Sequence, residues 1–151
     1  MAIVFFDTSA LVKRYVTTEA GAPMVRDIVE AADVVPAIAR VSMVEMASAL
    51  GRRQRQGQLS AAERDRLWAE FEIDLETTFA VVEPDDDIWK AAQILCFRHP
   101  LAAYDAVQLA TALRSVILAS SPLGEQLRFC TADRQQATAA KSEGLTVEWI
   151  A

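Results

Sequence analysis

The sequence predicts a single α/β domain built on a mostly parallel sheet. Short apolar, β-branched or aromatic runs recur along the chain, and each is followed by a longer segment with helical spacing. The 151 residues, 52% of them hydrophobic, suit one domain with a full core and argue against disorder. There is no internal repeat, low-complexity tract or linker, so the domain is expected to span 1–151.

Ile3–Phe6 is short, apolar and partly aromatic, as a strand buried on both faces would be. Thr8–Val16 reads as a helix that Asp7 can cap. Ala20–Ala32 is a second helix, with Met24, Val25, Ile28 and Val29 on one face. Val34–Ile38 is a short strand whose Pro36 assigns it to a sheet edge or a strand start. Val41–Arg53 is helical and is ended by Gln56-Gly57-Gln58. Ser60 and Glu63 form a capping box for a helix running to about Thr77, with Leu67, Phe71, Asp74 and Leu75 near helical spacing. Phe79–Glu83 is a strand. Asp85–Arg98 is a helix with three acids at its start, where the helix dipole favours them. Ala103–Ala119 is a helix carrying Val107, Leu109, Ala110, Leu113 and Ile117. Leu127–Thr131 is a strand, Arg134–Ser142 a helix ended by Gly144, and Thr146–Ile150 the last strand. The stretch from Ala119 to Gln126, "ASSPLGEQ", is expected to be a flexible loop.

Composition removes several function classes. No apolar run approaches the ~18 residues of a membrane span, and the longest candidate, Val34–Leu50, is broken by Pro36, Arg40 and Glu45. No basic segment precedes the first apolar stretch, so a secretory signal is not expected and a cytoplasmic location is. Cys96 and Cys130 sit in apolar segments and read as two buried thiols in a reducing compartment. Without a C-x-x-C pair, neither a zinc site nor a thioredoxin-type site is supported. The single histidine, His99, lies near a helix end, where a surface role is expected. One histidine rules out a zincin, and no G-x-S-x-G turn supports a Ser-His-Asp triad built on it.

Net charge is −6, which by itself disfavours a polyanionic partner. The distribution qualifies this. From Glu63 to Asp87 there are ten acids against Arg64 and Arg66, and the rest of the chain is close to neutral. The other end of the molecule can still meet a nucleic acid backbone.

Four acids attach to buried parts of the domain. Asp7 and Asp133 each follow a strand, where open α/β folds place their ligands, and each could equally be a plain N-cap. Glu45 sits in "RVSMVEMASAL", a helix apolar on most sides. An acid there is expensive unless it is paired, turned to water, set against Arg52 or Arg53, or bound to metal. Asp105 lies in the first turn of "HPLAAYDAVQLATAL", either favoured by the dipole or left room for a ligand by Ala102, Ala103 and Ala106. If the four converge they need a cation, and all-oxygen ligation suits Mg²⁺ or Mn²⁺. Such a site can activate water for in-line displacement at phosphorus without a histidine or a nucleophilic serine.

The stretches "FFDTSALVKRYV", "SMVEMASAL", "LAAYDAVQLATAL" and "FCTADRQQATAAKSEGLTV", in this order and spacing, resemble PIN-domain proteins, specifically VapC-type toxin ribonucleases of type II toxin–antitoxin pairs. The resemblance implies a five-stranded parallel sheet of order 3-2-1-4-5 with helices on both faces. It implies that Asp7, Glu45 and Asp105 are core metal-binding acids and that Asp133 is a fourth. Ser9 and Thr131 would be hydroxyls that bond carboxylates or bound water. It further implies a Mg²⁺ or Mn²⁺ cofactor, an RNA substrate, a cognate antitoxin and a homodimer. The expected activity is endoribonuclease hydrolysis by a metal-activated water. Phosphate contacts are expected from Lys13, Arg14, Arg40, Arg52, Arg53, Arg55 and Arg134, although Arg52–Arg55 also suit a helix C-terminus. Two alternatives stand beside this: a non-catalytic interaction module of the same fold, and a haloacid-dehalogenase-like phosphatase with Asp7 as nucleophile. The phosphatase needs an acid at position 9, where the chain has Ser9.

Overall fold

The structure, a computed structural model, describes residues 2–119 and 127–150. Its strands are β1 (Ala2–Phe6), β2 (Val34–Ala39), β3 (Ala80–Val82), β4 (Leu127–Thr131) and β5 (Thr146–Trp149). All pairs are parallel and the order is β3-β2-β1-β4-β5, as the resemblance implies. The helices are α1 (Thr8–Leu11), α2 (Ala22–Glu30), α3 (Ser42–Arg55), α4 (Ala61–Thr77), α5 (Asp86–Arg98), α6 (Ala103–Ala119) and α7 (Arg134–Ser142).

Alternation along the strands divides the core in two. Val4, Phe6, Ile38, Cys130 and Ile150 pack under α1 to α4. Phe5, Ala37, Ala39 and Phe129 pack under α5 to α7. Phe5 and Phe129, stacked with centroids 6.0 Å apart, lie on β1 and β4 at the middle of the sheet. Burial of each such ring is worth roughly 1.5–3 kcal/mol, so the central pair fixes the sheet that presents the site. The first turn of α4 closes with the expected capping box, Ser60 Oγ accepting from Glu63 N and Glu63 accepting from Ser60 N.

Several expectations are corrected. The first helix is four residues of α-helix continued by a 3₁₀ turn, Val12–Arg14, and does not reach Val16. Pro36 does not put β2 at an edge, because β2 lies between β1 and β3. The proline is tolerated because pairing with β3 begins only at Ala37, so on that side β2 still has no partner at Pro36. Cys96 is exposed, whereas Cys130 is buried. His99 caps the end of α5 with its ring largely buried, 3.4 Å from Glu143. Of the "ASSPLGEQ" stretch, Ser120 to Gln126 lie outside the described residues. Among the described residues no helix is long and apolar enough to cross a membrane.

Candidate active site

Asp7 follows β1 at the point where the chain order reverses between β1 and β4. Its N–H donates to the Cys130 carbonyl at 3.1 Å, which keeps the two strands joined up to the acid. Asp7 does cap α1, with Oδ1 accepting from Ala10 N at 3.2 Å. Ser9 Oγ also donates to Oδ1, and Thr131 Oγ1 donates to Oδ2, each at 2.6 Å. Those hydroxyls are themselves held: Ala132 N donates to Ser9 Oγ at 2.9 Å and Asp133 N to Thr131 Oγ1 at 3.0 Å. The side chain is 2% exposed. Burial pushes its carboxyl up to about 7, against the Ser9 and Thr131 hydroxyls and the Ala10 N–H, which favour the charged form.

Glu45 projects from the first turn of α3. Its Oε1 accepts from Gln108 Nε2 at 2.8 Å and from Thr8 Oγ1 at 3.2 Å, so it is paired with neither Arg52 nor Arg53. Asp105 sits in the first turn of α6 with no donor to its carboxylate among the described residues. It is pushed up to about 6, first by burial and then by the charges of Glu45 and Asp133. Asp133 caps α7, its Oδ1 accepting from Gln135 N and Gln136 N at 2.9 and 3.1 Å.

All four acids line one cavity of about 550 Å³, together with Thr8, Ser9 and Arg52. None of the four has a lysine or arginine within 4.0 Å among the described residues. Among those residues, too, no three acid, histidine or cysteine side chains stand close enough to hold a metal ion as they are placed. The donor set nevertheless suits a hard divalent cation: oxygens only, several without donors, with Glu45, Asp105 and Asp133 half-buried around the fixed Asp7. Lys13 and Arg53 also line the cavity but are tied to Glu19, at 3.7 and 2.5 Å.

The other proposed phosphate contacts scatter. Arg14 lines a separate cavity and pairs with Asp74 at 2.9 Å. Arg40 pairs with Glu83. Arg55 lies on the last turn of α3 and Arg134 over the Trp149 ring. Gln108, Thr8, Ser42 and Gln136 stand outside the site residues that the sequence predicts, yet they position the acids. Gln108 is 1% exposed and its Nε2 also meets Ser42 Oγ at 2.8 Å and Thr8 Oγ1 at 3.1 Å. Gln136 Nε2 donates to the Asp105 carbonyl at 2.9 Å. The available signal was a lone amide three residues after Asp105, on the same face of an otherwise apolar helix.

Among solved structures the chain is similar to VapBC2 from Rickettsia felis bound to a DNA fragment from their promoter, with TM-score 0.65, 10% identity and 97% of each chain covered. It is similar to a toxin–antitoxin complex from Klebsiella pneumoniae, with TM-score 0.58, 19% identity and 88% of each chain covered. It is also similar to Mycobacterium tuberculosis VapC20, a Sarcin-Ricin loop cleaving toxin, with TM-score 0.64, 17% identity, and 90% of this chain and 94% of that chain covered. No curated protein matches the sequence. A sequence match to the PIN domain that runs over residues 4–142, carried on the parallel sheet described above, makes the chain a member of the PIN-domain family.

Proposed function

We propose that this PIN-domain protein is a divalent-metal-dependent endoribonuclease and the toxin of a toxin–antitoxin pair, acting in the cytoplasm as a homodimer. One observation carries the reading. Acids from four separate elements, far apart in sequence, line one cavity, and no lysine or arginine among the described residues pairs with any of them.

Within that cavity Asp7 is a fixed point, bonded through both oxygens and unable to swing. Gln108 and Thr8 orient Glu45 through one oxygen and, among the described residues, leave the other without a donor. Asp133 likewise spends one oxygen on α7 and keeps the second. Asp105 keeps both, as a ligand or a proton acceptor requires. A bound Mg²⁺ or Mn²⁺ would offset these charges, acidify water and stabilise the departing 3′ oxygen. Arg52, on the cavity wall, suits a substrate phosphate. The lining offers little to read base edges, so selectivity would come from RNA shape and single-stranded loops.

Likeness to the Klebsiella pneumoniae complex supports an antitoxin partner, and a guanidinium from it would suit the carboxylate cluster. The phosphatase alternative has no general acid here. Ser9 stands in that place and is committed to Asp7, whose own oxygens are both occupied. Sequencing of RNA ends after brief expression tests the proposal. The wild type should create new ends carrying 5′-phosphate and 3′-hydroxyl, and Asp7→Asn should not. Identical ends in both would favour the non-catalytic module.

A further inference from the structure

A second polar cavity lies in line with the candidate site. Phe5, Phe129 and Val147 face the α5–α7 side of the sheet. Side chains alternate along each strand, so Thr131 and Trp149 continue that row, with Asp7 beyond β1. The register pairs Thr131 with Trp149 across β4 and β5, strands that run about 4.8 Å apart. Trp149 therefore stands one strand away from the hydroxyl that anchors Asp7.

The cavity there has a volume of about 420 Å³ and is lined by Arg134, Ala137, Thr138, Lys141 and Trp149. Arg134 Cζ lies 5.3 Å from the Trp149 ring centroid, in cation–π range. Among the described residues neither Arg134 nor Lys141 has a carboxylate within 4.0 Å, because the nearby acids are engaged elsewhere. Glu148 pairs with Arg128 at 3.1 Å, and Glu143 pairs with Arg98 at 2.6 Å and His99 at 3.4 Å. Asp133 turns its side chain to the start of α7. In a chain of net charge −6, two cations without an ion-pair partner among the described residues lie beside a half-buried indole.

We propose that this cavity is a subsite for single-stranded RNA, in which a base stacks on the Trp149–Arg134 pair and Lys141 meets a neighbouring phosphate, next to the point of cleavage. The proposal rests on the nuclease reading above. Single strands are held by aromatic and guanidinium faces that accept any base, with cations along the backbone. An acidic protein segment would use the two cations but would leave the indole face idle.

The test is anisotropy of a labelled single-stranded RNA oligonucleotide in EDTA at low salt, on the intact protein. Trp149→Leu should weaken binding roughly tenfold, and Trp149→Phe should restore most of it. Arg134→Gln with Lys141→Gln should lower the salt slope by roughly one unit. Unfolding midpoints of all variants are measured alongside, and Trp149→Phe separates lost stacking from lost folding. If the wild type cuts RNA in Mn²⁺ but Trp149→Leu binds as tightly as the wild type, the subsite is overturned while the nuclease reading stands. Polyglutamate binding is measured in parallel, and its loss in Arg134→Gln with Lys141→Gln at unchanged RNA affinity overturns the subsite in favour of an acidic protein partner. A wild type that neither cuts nor binds RNA overturns both.

Discussion

Asp7 has almost no contact with water, and its carboxyl is pushed up to about 7. A raised acid holds its proton in the folded chain where the unfolded chain, with the ordinary value of 3.8, has already lost it. Folding is therefore penalised progressively as pH rises across that window, and the full penalty applies above about 7. Asp105, raised to about 6, acts in the same direction over a narrower range. Glu19 and Asp74 are lowered by Arg53 and Arg14 despite their burial, and their opposite effect lies below the ordinary carboxylate range. Between about pH 5 and 8 the metal-free protein should lose stability, with Asp7 contributing on the order of 3 kcal/mol. Thermal unfolding in EDTA checks this. The midpoint should fall with pH in the wild type and much less in Asp7→Asn, whose amide can still accept from Ser9 and Ala10 and donate to Thr131. A wild-type midpoint that does not fall would contradict the buried, uncompensated carboxylate.

Gln108 joins elements that are distant in sequence, meeting Thr8 on α1 and both Ser42 and Glu45 on α3 from its place on α6. Gln108→Leu roughly keeps the volume but strands the fully buried Ser42 hydroxyl and leaves Glu45 Oε1 with Thr8 alone. It should cost roughly 1–3 kcal/mol, seen as a lower urea midpoint at unchanged slope. An unchanged midpoint would show that the amide does not tie the helices. Features written locally could be read from sequence. Ser60 and Glu63 announced the α4 capping box three residues apart. The acids declared themselves by lying on apolar elements. Features that depend on distant partners could not be read. Whether Pro36 lies at an edge depends on where β3 begins to pair, and no residue near Pro36 records that. The Asp74 carboxylate on α4 that takes Arg14 and Tyr15, 60 and 59 residues before it, likewise depends on a distant partner.

Across the molecule, charge is divided between two uses. The block from Glu63 to Asp87 draws cations to itself: Arg14 to Asp74, Arg40 to Glu83, and Arg114 to Asp85 and Asp87. Among the described residues the acids at the carboxyl edge of the sheet attract none, although Lys13, Arg52 and Arg53 line the same cavity. A fold that pairs several peripheral carboxylates and, among the described residues, leaves the central ones without a cation keeps a negatively charged cleft. The central claim is that a divalent cation completes it. Calorimetric titration with Mn²⁺ near neutral pH, comparing the wild type with the variant carrying Asp7→Asn and Asp105→Asn, tests that claim most directly. Saturable binding by the wild type that disappears in the double variant is the predicted result; a wild type that takes up no Mn²⁺, or a double variant that binds it equally well, would contradict it.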